Sequence, residues 1–309
     1  MEDRITCRVL TGPTASGKSE LALRIAAEEG WDILCMDSMQ IYRGMDIGTA
    51  KPTKEEQALV PHHLLDLCDP RDTFSVSQYV ELAEKTVRQL HRDGRRALFV
   101  GGTGLYLEGM MKPMAMGSVP ADEKLREELH RLADGPDGRM RLDALLREAD
   151  PETADRLPLN DVRRRIRAIE VTRATGIPFS RQEERKREDS EFNWIAVSLE
   201  TDRETLYTRI NSRVDRMVEA GLPLEVKRLL SEGVPENAQS MQAIGYKEFI
   251  PYLRGEISLA QAVEQVKTGS RRYAKRQITF LKRLDGIRYV PAGQGSTCDT
   301  VRNILKTAD

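Results

Sequence analysis

The 309-residue sequence has few cysteines, and they are not spaced as zinc ligands would be. The four lie far apart, with no C-x-x-C pair: Cys7, Cys35, Cys68 and Cys298. This pattern argues against a zinc site and gives no reason to expect disulfides. No apolar run approaches the ~20 residues that cross a bilayer, and the first residues do not begin a signal peptide. We therefore expect a cytoplasmic protein with no membrane role.

The sequence also lacks an excess of either charge. Its 48 Lys and Arg residues nearly balance 49 Asp and Glu residues, for a formal net charge of -1, although charged residues make up 31% of the chain. A polyanionic partner would therefore be bound by local basic patches and not by the field of the whole molecule.

The phosphate loop, residues 12–19, is the motif around which the chain is organised. It matches G-x-x-x-x-G-K-[ST] between an apolar run at 9–11 and a helical pattern at 20–27, the context in which this motif predicts a phosphate site. Backbone N–H groups, the positive helix end and the Lys18 ammonium would hold phosphate oxygens, and the Ser19 hydroxyl would ligate Mg²⁺. The alternative is a Gly/Ser-rich turn that matches by chance. The loop consists of Gly12, Pro13, Thr14, Ala15, Ser16, Gly17, Lys18 and Ser19.

Strand and helix patterns alternate along most of the chain, which predicts a parallel sheet. Strand patterns occur at 32–36, 96–100, 194–199 and 287–290, and helical spacing runs over 74–92. Residues 114–190 are charge-rich and helical, without a convincing strand. We predict an α/β fold with a doubly wound parallel sheet. Residues 1–113 and 191–309 would form its P-loop core, which ends in basic helices, and residues 114–190 an inserted all-helical lobe.

Polar clusters follow two of the predicted strands, where ligands bind in a doubly wound sheet. Asp37 comes directly after the strand at 32–36. A carboxylate there could be a Mg²⁺ ligand, a general base or a helix cap, and these roles are about equally expected. Thr103 lies between glycines, which suits a pyrophosphate or a base edge. The alternative is a glycine turn needed for close packing.

Two basic runs stand out from the neutral background. Residues 267–283 contain seven Lys and Arg and no acid, with Tyr273 and Phe280 between them. Basic residues with stacking partners suit nucleic acid. The second run, residues 163–167, would oppose the first across a cleft if the lobe folds over the sheet; for both, a solvated helix face is the alternative. Arg209 and Arg213, four residues apart, could close on a diphosphate or pair with surface acids.

Seven motifs occur in an order that goes beyond a generic phosphate loop. They are GPTASGKS, DSMQIYRGMDIGTAKP, PHHLLD, GGTGLY, RINSRVDRM, QAIGYKE and RRYAKRQITFLKR. Together they cover nearly the whole chain and resemble the bacterial tRNA dimethylallyltransferases, also called tRNA isopentenylpyrophosphate transferases. The resemblance implies transfer of a dimethylallyl group from dimethylallyl diphosphate to N6 of the adenosine 3′ of the anticodon, position 37 of tRNA, with Mg²⁺. The expected partners are the tRNA anticodon stem-loop and dimethylallyl diphosphate, bound by a monomer.

The resemblance also implies roles for individual residues. Residues 12–19 and Arg213 would bind the donor diphosphate, Asp37 would be the general base, and Thr103 and Arg126 would orient the reaction. Arg165 stands where the family commonly has an aliphatic residue, so the resemblance does not determine which face of this helix is turned to RNA. The residues implied to contact tRNA are Asp37, Ser38, Met39, Gln40, Arg163, Arg164, Arg165, Ile166, Arg167, Gln242, Ala243, Ile244, Gly245, Tyr246, Lys247, Lys275, Arg276, Gln277, Ile278, Thr279, Phe280, Leu281 and Lys282.

Other functions fit parts of the sequence. A P-loop small-molecule kinase would use residues 209–217 as a lid, but kinase activity would not explain the two basic runs. An adenylate isopentenyltransferase would transfer the same group to a free nucleotide and needs no tRNA-sized basic surface. A non-catalytic, nucleotide-gated RNA-binding module would leave Asp37 and Thr103 without a chemical task.

Overall fold

The computed structural model describes residues 4–112, 119, 122–181, 190–293 and 295–307. The chain divides into two compact units. Met1–Met111 and Asp189–Asp309 form the sheet unit, and Lys112–Glu188 forms the helical unit. The limits predicted for the inserted lobe were 114 and 190.

The described part of the sheet unit contains a six-stranded sheet in the order β3-β2-β4-β1-β5-β6. All of its paired neighbours run parallel, which confirms the predicted α/β class. The central strands are apolar along most of their length because helices cover both faces of the sheet. The strands are β1 (Ile5–Thr11), β2 (Trp31–Cys35), β3 (His62–His63), β4 (Arg96–Val100), β5 (Phe192–Glu200) and β6 (Ile287–Pro291).

The helices begin where the sequence supplies caps. Ser75 and Ser258 each form a capping box with the glutamine three residues on, and these fix the starts of α3 and α12, defined below. In chain order the helices are α1 (Lys18–Glu29), α2 (Lys54–Leu59), α3 (Val76–Arg92), α4 (Gly104–Met111), α5 (Glu123–Asp134), α6 (Gly138–Ala149), α7 (Pro151–Arg156), α8 (Val162–Thr175), α9 (Arg203–Glu219), α10 (Leu222–Ser231), α11 (Phe249–Leu253), α12 (Leu259–Leu281) and α13 (Thr297–Lys306).

Two apolar clusters cover the two faces of the sheet. Successive residues of β1 belong to different clusters, Val9 to one and Leu10 to the other. The larger cluster includes α3, α4 and α10, and the smaller includes α1 and α13. The sheet therefore has helices on both faces, as a doubly wound fold requires, and the ends of its strands are left for ligands.

The helical unit packs α5, α6, α7 and α8 around its own apolar cluster. Arg165 on α8 is buried there: its Nη1 lies 2.5 Å from Asp143 Oδ1, and its Nε donates to the Pro158 carbonyl at 2.9 Å. Ile166 is buried beside it. Both side chains, predicted to belong to the tRNA-binding stretch, are thus occupied inside the helical unit, and tRNA contact by this stretch stays a prediction.

The sparse cysteines lie inside the protein. All four are buried free thiols. Burial raises the pKa of the Cys7 and Cys35 thiols, which keeps both protonated. Within the described ranges, no helix is both long and apolar enough to cross a membrane.

Gly101, directly after β4, allows the closest backbone approach near the strand ends. A Cβ at this position would lie 1.9 Å from the Met36 carbonyl oxygen, which follows β2. The Gly101 carbonyl also accepts the Thr11 hydroxyl at 2.8 Å. The contact thus joins the ends of three strands.

We predict that Gly101→Ala lowers the free energy of unfolding by about 3 kcal/mol, since backbone and not a flexible side chain would have to move. Urea unfolding measures this. Gly295→Ala is the matched control because no atom of the described residues lies within 4 Å of the added Cβ, and its change should stay within about 0.5 kcal/mol. Equal stabilities of the two variants would contradict the prediction.

Candidate active site

The loops after β1, β2 and β4 meet at one edge of the sheet. The Thr103 N–H donates to the Met36 carbonyl at 3.4 Å, and the Ser38 N–H donates to Thr103 Oγ1 at 3.1 Å. The Thr103 hydroxyl therefore fixes the turn that carries Asp37. The structure brings together the phosphate loop, Asp37 and Thr103. From the sequence, this proximity was expected only because each follows a predicted parallel strand.

The phosphate loop is linked to the turn after β4 by Gln277 of α12. The Thr14 N–H donates to Gln277 Oε1 at 2.9 Å, and Gln277 Nε2 donates to the Gly102 carbonyl at 2.9 Å. Gln277 is buried between the two loops. The side-chain amide of Gln277, a residue predicted to contact tRNA, thus has both ends occupied within the protein.

Lys18 and Arg213 bring two positive charges to the phosphate loop. Burial and the neighbouring Arg213 charge lower the pKa of Lys18 to about 8, while Asp37 acts in the opposite direction. Burial also lowers the pKa of Arg213, again opposed by Asp37. Two partly buried cations held near each other form a site for an anion with more than one negative charge.

One oxygen of Asp37 is held by the backbone. Its Oδ1 accepts the Met39 N–H at 2.8 Å in a local turn. No hydrogen bond to Oδ2 occurs within the described residues. Oδ2 is therefore the oxygen left to act as a base or to bind a cation.

Two cavities meet at Asp37. The larger, about 1060 Å³, is lined by Lys18, Ser19 and Gln40. The smaller, about 260 Å³, is lined by Ser38, Met39, Gln242, Ala243, Ile244, Gly245, Lys247 and Arg276. The residues common to both linings are Thr14, Asp37, Thr49, Arg213, Met217 and Tyr273. Two molecules bound in the two cavities would thus reach the same carboxylate and the same arginine.

Sequence reasoning did not assign Tyr273 or Arg216 to the donor or acceptor site, although both line these cavities. Tyr273 lines both, and burial raises the pKa of its phenol, so it remains a hydrogen-bond donor. Arg216 lines the larger cavity beside Arg213. The signal for Arg216 was its place one helical turn after Arg213. Arg209, the other predicted lid arginine, is in neither lining.

Tyr246 does not line the smaller cavity, although its neighbours do. It is fully buried, and its hydroxyl donates to Glu225 Oε1 at 2.6 Å. Leu281, at the end of α12, is buried as well. Both side chains, predicted to lie in tRNA-binding stretches, are thus enclosed within the protein, and tRNA contact by these stretches stays a prediction.

The outer face of α12 is cationic from its middle onward. Lys267 and Arg271 are neutralised by Asp215 at 2.6 Å and Glu264 at 2.8 Å. Exposed basic residues follow, and no acid of the described chain pairs with them. They are Arg272, Lys275, Arg276 and Lys282, with Thr279 exposed among them and Ile278 and Phe280 half-buried. We call Arg272, Lys275, Arg276 and Lys282 the α12 ridge.

In the helical unit, some arginines of the predicted basic run form ion pairs with acids of the same unit. Glu170 pairs with Arg126 at 2.9 Å and with Arg167 at 2.5 Å. Arg163 and Arg164 are exposed, and Arg164 pairs with Asp161 at 3.2 Å. Arg126 belongs to this unit, and its catalytic role stays a prediction. A groove of about 700 Å³ gathers four other cations from three helices, which the linear sequence did not reveal: Lys124, Arg131, Arg141 and Arg173.

Comparison with known proteins identifies the family. The family described as IPP transferase matches residues 40–284. The chain belongs to this family. The resemblance inferred from the motifs is thereby confirmed, and a small-molecule kinase is disfavoured.

Relatives and solved structures agree with the family. The chain is 42% identical over 297 residues to the tRNA dimethylallyltransferase of Caldanaerobacter subterraneus subsp. tengcongensis, covering 95% of this chain and 94% of the relative. It is 46% identical over 276 residues to that of Shouchella clausii, covering 88% and 87%. The tRNA isopentenylpyrophosphate transferase of Bacillus halodurans superposes with a TM-score of 0.72 at 37% identity, covering 99% and 98%. A eukaryotic dimethylallyltransferase acting on tRNA gives 0.83 at 27% identity, covering 97% and 77%.

The lowered pKa of Lys18 predicts pH-dependent binding of inorganic diphosphate. Below pH 8 the free amine is already charged; above pH 8 it must gain a proton to bind, so affinity should fall by about tenfold per pH unit from this group. Titration calorimetry between about pH 7 and 9.5 measures the slope. In Lys18→Met, the affinity should change with pH only through the ionisation of diphosphate itself. Identical slopes of affinity against pH for the variant and the native protein would contradict the lowered pKa of Lys18.

Proposed function

We propose that the chain transfers a dimethylallyl group from dimethylallyl diphosphate to N6 of the adenosine directly 3′ of the anticodon in tRNA and releases diphosphate. The observation that carries the proposal is the pair of cavities that share Asp37, Arg213 and Tyr273. A donor in one and an acceptor in the other would react at the shared wall. The names of the relatives support the choice of substrates.

The larger cavity takes the donor. Its diphosphate binds to the phosphate loop, Lys18 and Arg213, with Arg216 at the rim of the charge cluster. When the allylic C–O bond breaks, negative charge builds on the leaving oxygens. Cations already fixed in a partly desolvated site stabilise that charge without reorganisation.

The smaller cavity takes the adenine base. The exocyclic amine is a weak nucleophile, so a carboxylate within hydrogen-bond reach must orient it and accept its proton. Asp37 does this through Oδ2: the N6–C bond forms, the C–O bond to diphosphate breaks, and the proton moves to Asp37. Thr103 maintains the Asp37 turn through its bond to Ser38.

Oxygen ligands for Mg²⁺ are available in the larger cavity. The Ser19 hydroxyl, exposed at the first turn of α1, and the Asp37 carboxylate both line it. This oxygen-donor set fits a cation that takes few protein ligands and completes its shell with water and phosphate. Ser19 would hold Mg²⁺, which when bound adds to the neutralisation of the diphosphate.

The tRNA is held outside the cavities by basic surfaces. The target base is stacked in the anticodon loop, so it must be extruded to enter the smaller cavity. Arg276 belongs both to that cavity and to the α12 ridge, which makes the ridge the nearest track for the backbone. The exposed Arg163 and Arg164 and the groove cations of the helical unit provide further phosphate contacts. We propose that the protein works as a cytoplasmic monomer.

The direct test is incubation of the purified protein with unmodified tRNA, Mg²⁺ and labelled dimethylallyl diphosphate or, separately, labelled ATP. Label from the isoprenoid donor should enter one adenosine of the tRNA, and label from ATP should not. Label that enters free adenine nucleotides in preference to tRNA would refute the proposal.

Asp37→Asn should lower the transfer rate about 100-fold or more while tRNA affinity stays within about tenfold. Asparagine retains an oxygen for the Met39 N–H, so the variant removes the base and leaves the turn intact. Single-turnover transfer and filter binding measure the two quantities. Asp299→Asn, on α13, is the control for loss of one carboxylate, and a near-normal rate in Asp37→Asn would exclude Asp37 as the base.

Replacing Lys275 and Lys282 by alanine should weaken tRNA binding and reduce the slope of log affinity against log salt by about 2, one unit for each lost phosphate contact. Fluorescence anisotropy at several salt concentrations measures the slope. Lys227→Ala, an exposed lysine on α10, should leave it unchanged. A slope in the double variant equal to that of the native protein would remove the α12 ridge from the tRNA interface.

A further inference from the structure

One buried carboxylate holds the loop that borders both cavities. We call residues 46–49 the cavity loop. Glu225 Oε2 accepts the N–H groups of Asp46 and Ile47, each at 2.9 Å, and Oε1 accepts the Gly48 N–H at 3.1 Å. Three successive amides of the cavity loop thus converge on a side chain of α10, 177 to 179 residues away in the chain.

The same carboxylate also holds a second segment of the wall of the smaller cavity, around Tyr246. The Tyr246 hydroxyl donates to Glu225 Oε1 at 2.6 Å. The tyrosine ring packs directly on Gly48, where a Cβ would lie 2.4 Å from Cε2. Gly245 and Lys247, on either side of Tyr246, line the smaller cavity. Glu225 therefore sets the distance between the cavity loop and the segment that contains Tyr246.

The chemistry of the site requires a carboxylate. Four donors converge on the two oxygens of Glu225, and an ionised carboxylate has acceptor sites for all of them. Hydrogen bonds to a charged acceptor are also stronger than those to a neutral one. A glutamine has a single acceptor oxygen, and its NH₂ group would face an N–H or O–H donor.

Each carboxylate oxygen of Glu225 binds residues that line a different cavity. Asp46 and Ile47, bound to Oε2, line the larger cavity, whereas Gly48, bound to Oε1 with Tyr246, lines the smaller. We propose that Glu225 is a positioning residue for the transfer reaction, which fixes the cavity loop against the two substrates without touching either. This inference rests on the proposed function, and it assigns to Tyr246 a selective influence on the acceptor side.

Steady-state kinetics of conservative variants test the proposal. Glu225→Gln should lower kcat/KM on the order of 10- to 100-fold, with KM raised for both dimethylallyl diphosphate and tRNA, because a buried donor is left unpaired. Tyr246→Phe removes only the bond to Oε1, so KM for tRNA should rise roughly fivefold while KM for the donor is unchanged. Glu81→Gln, at an exposed acid of α3 that forms no ion pair within the described residues, is the matched control and should behave like the native protein.

Hydrogen exchange gives a readout that does not depend on activity. In the native protein the amides of residues 46–48 should be protected, and Glu225→Gln should accelerate exchange in the peptide that contains them. Native-like exchange and kinetics in Glu225→Gln would overturn the proposal, as would fast exchange with both KM values unchanged. If Glu225→Gln does not fold, Tyr246→Phe decides: KM values for tRNA and donor that change equally, or not at all, overturn the division of roles. If the native protein transfers no label to tRNA, the proposed function fails, while exchange still reports on the Glu225 contacts.

Discussion

The hydrogen bonds of Gln277 are the constraint on which the site depends. A single side-chain amide joins the phosphate loop to the turn after β4, accepting from Thr14 and donating to Gly102. Because the two ends of an amide are chemically different, the bridge also fixes the rotation of α12 about its axis. That rotation turns Tyr273 toward the cavities and leaves Lys275 exposed on the ridge. The chemistry at the strand ends and the basic surface are thus parts of one rigid arrangement.

The sheet and its phosphate loop were predictable because their signals are local. Apolar runs such as residues 96–100 coincide with strands, and the glycine motif falls between a strand and a helix, as a phosphate loop must. β3 was not predictable, since two residues leave no periodic pattern. The polar residues at the strand ends were predicted as a group because parallel strands bring their carboxyl ends to one edge. Their hydrogen-bond partners came from distant parts of the chain and left no trace in spacing.

Charge was the least reliable guide, for a physical reason. A run of arginines does not reveal which acids fold against it: Arg165 belongs to the predicted basic run but is buried and paired with Asp143. Conversely, the four cations of the helical-unit groove come from three helices and form no run. In a chain with almost equal numbers of acids and bases, a basic residue is available to RNA only where packing has left it without a partner.

Asp37 enters the site with one oxygen already committed to the Met39 N–H. An aromatic amine has two hydrogens, and only one of them can point at the remaining oxygen. Under the proposed reaction, that hydrogen leaves as the new N–C bond forms, and the other stays on nitrogen. A carboxylate held by the backbone at one oxygen thus presents the other to a single hydrogen of the amine, so under that reaction each transfer delivers one proton to one fixed atom.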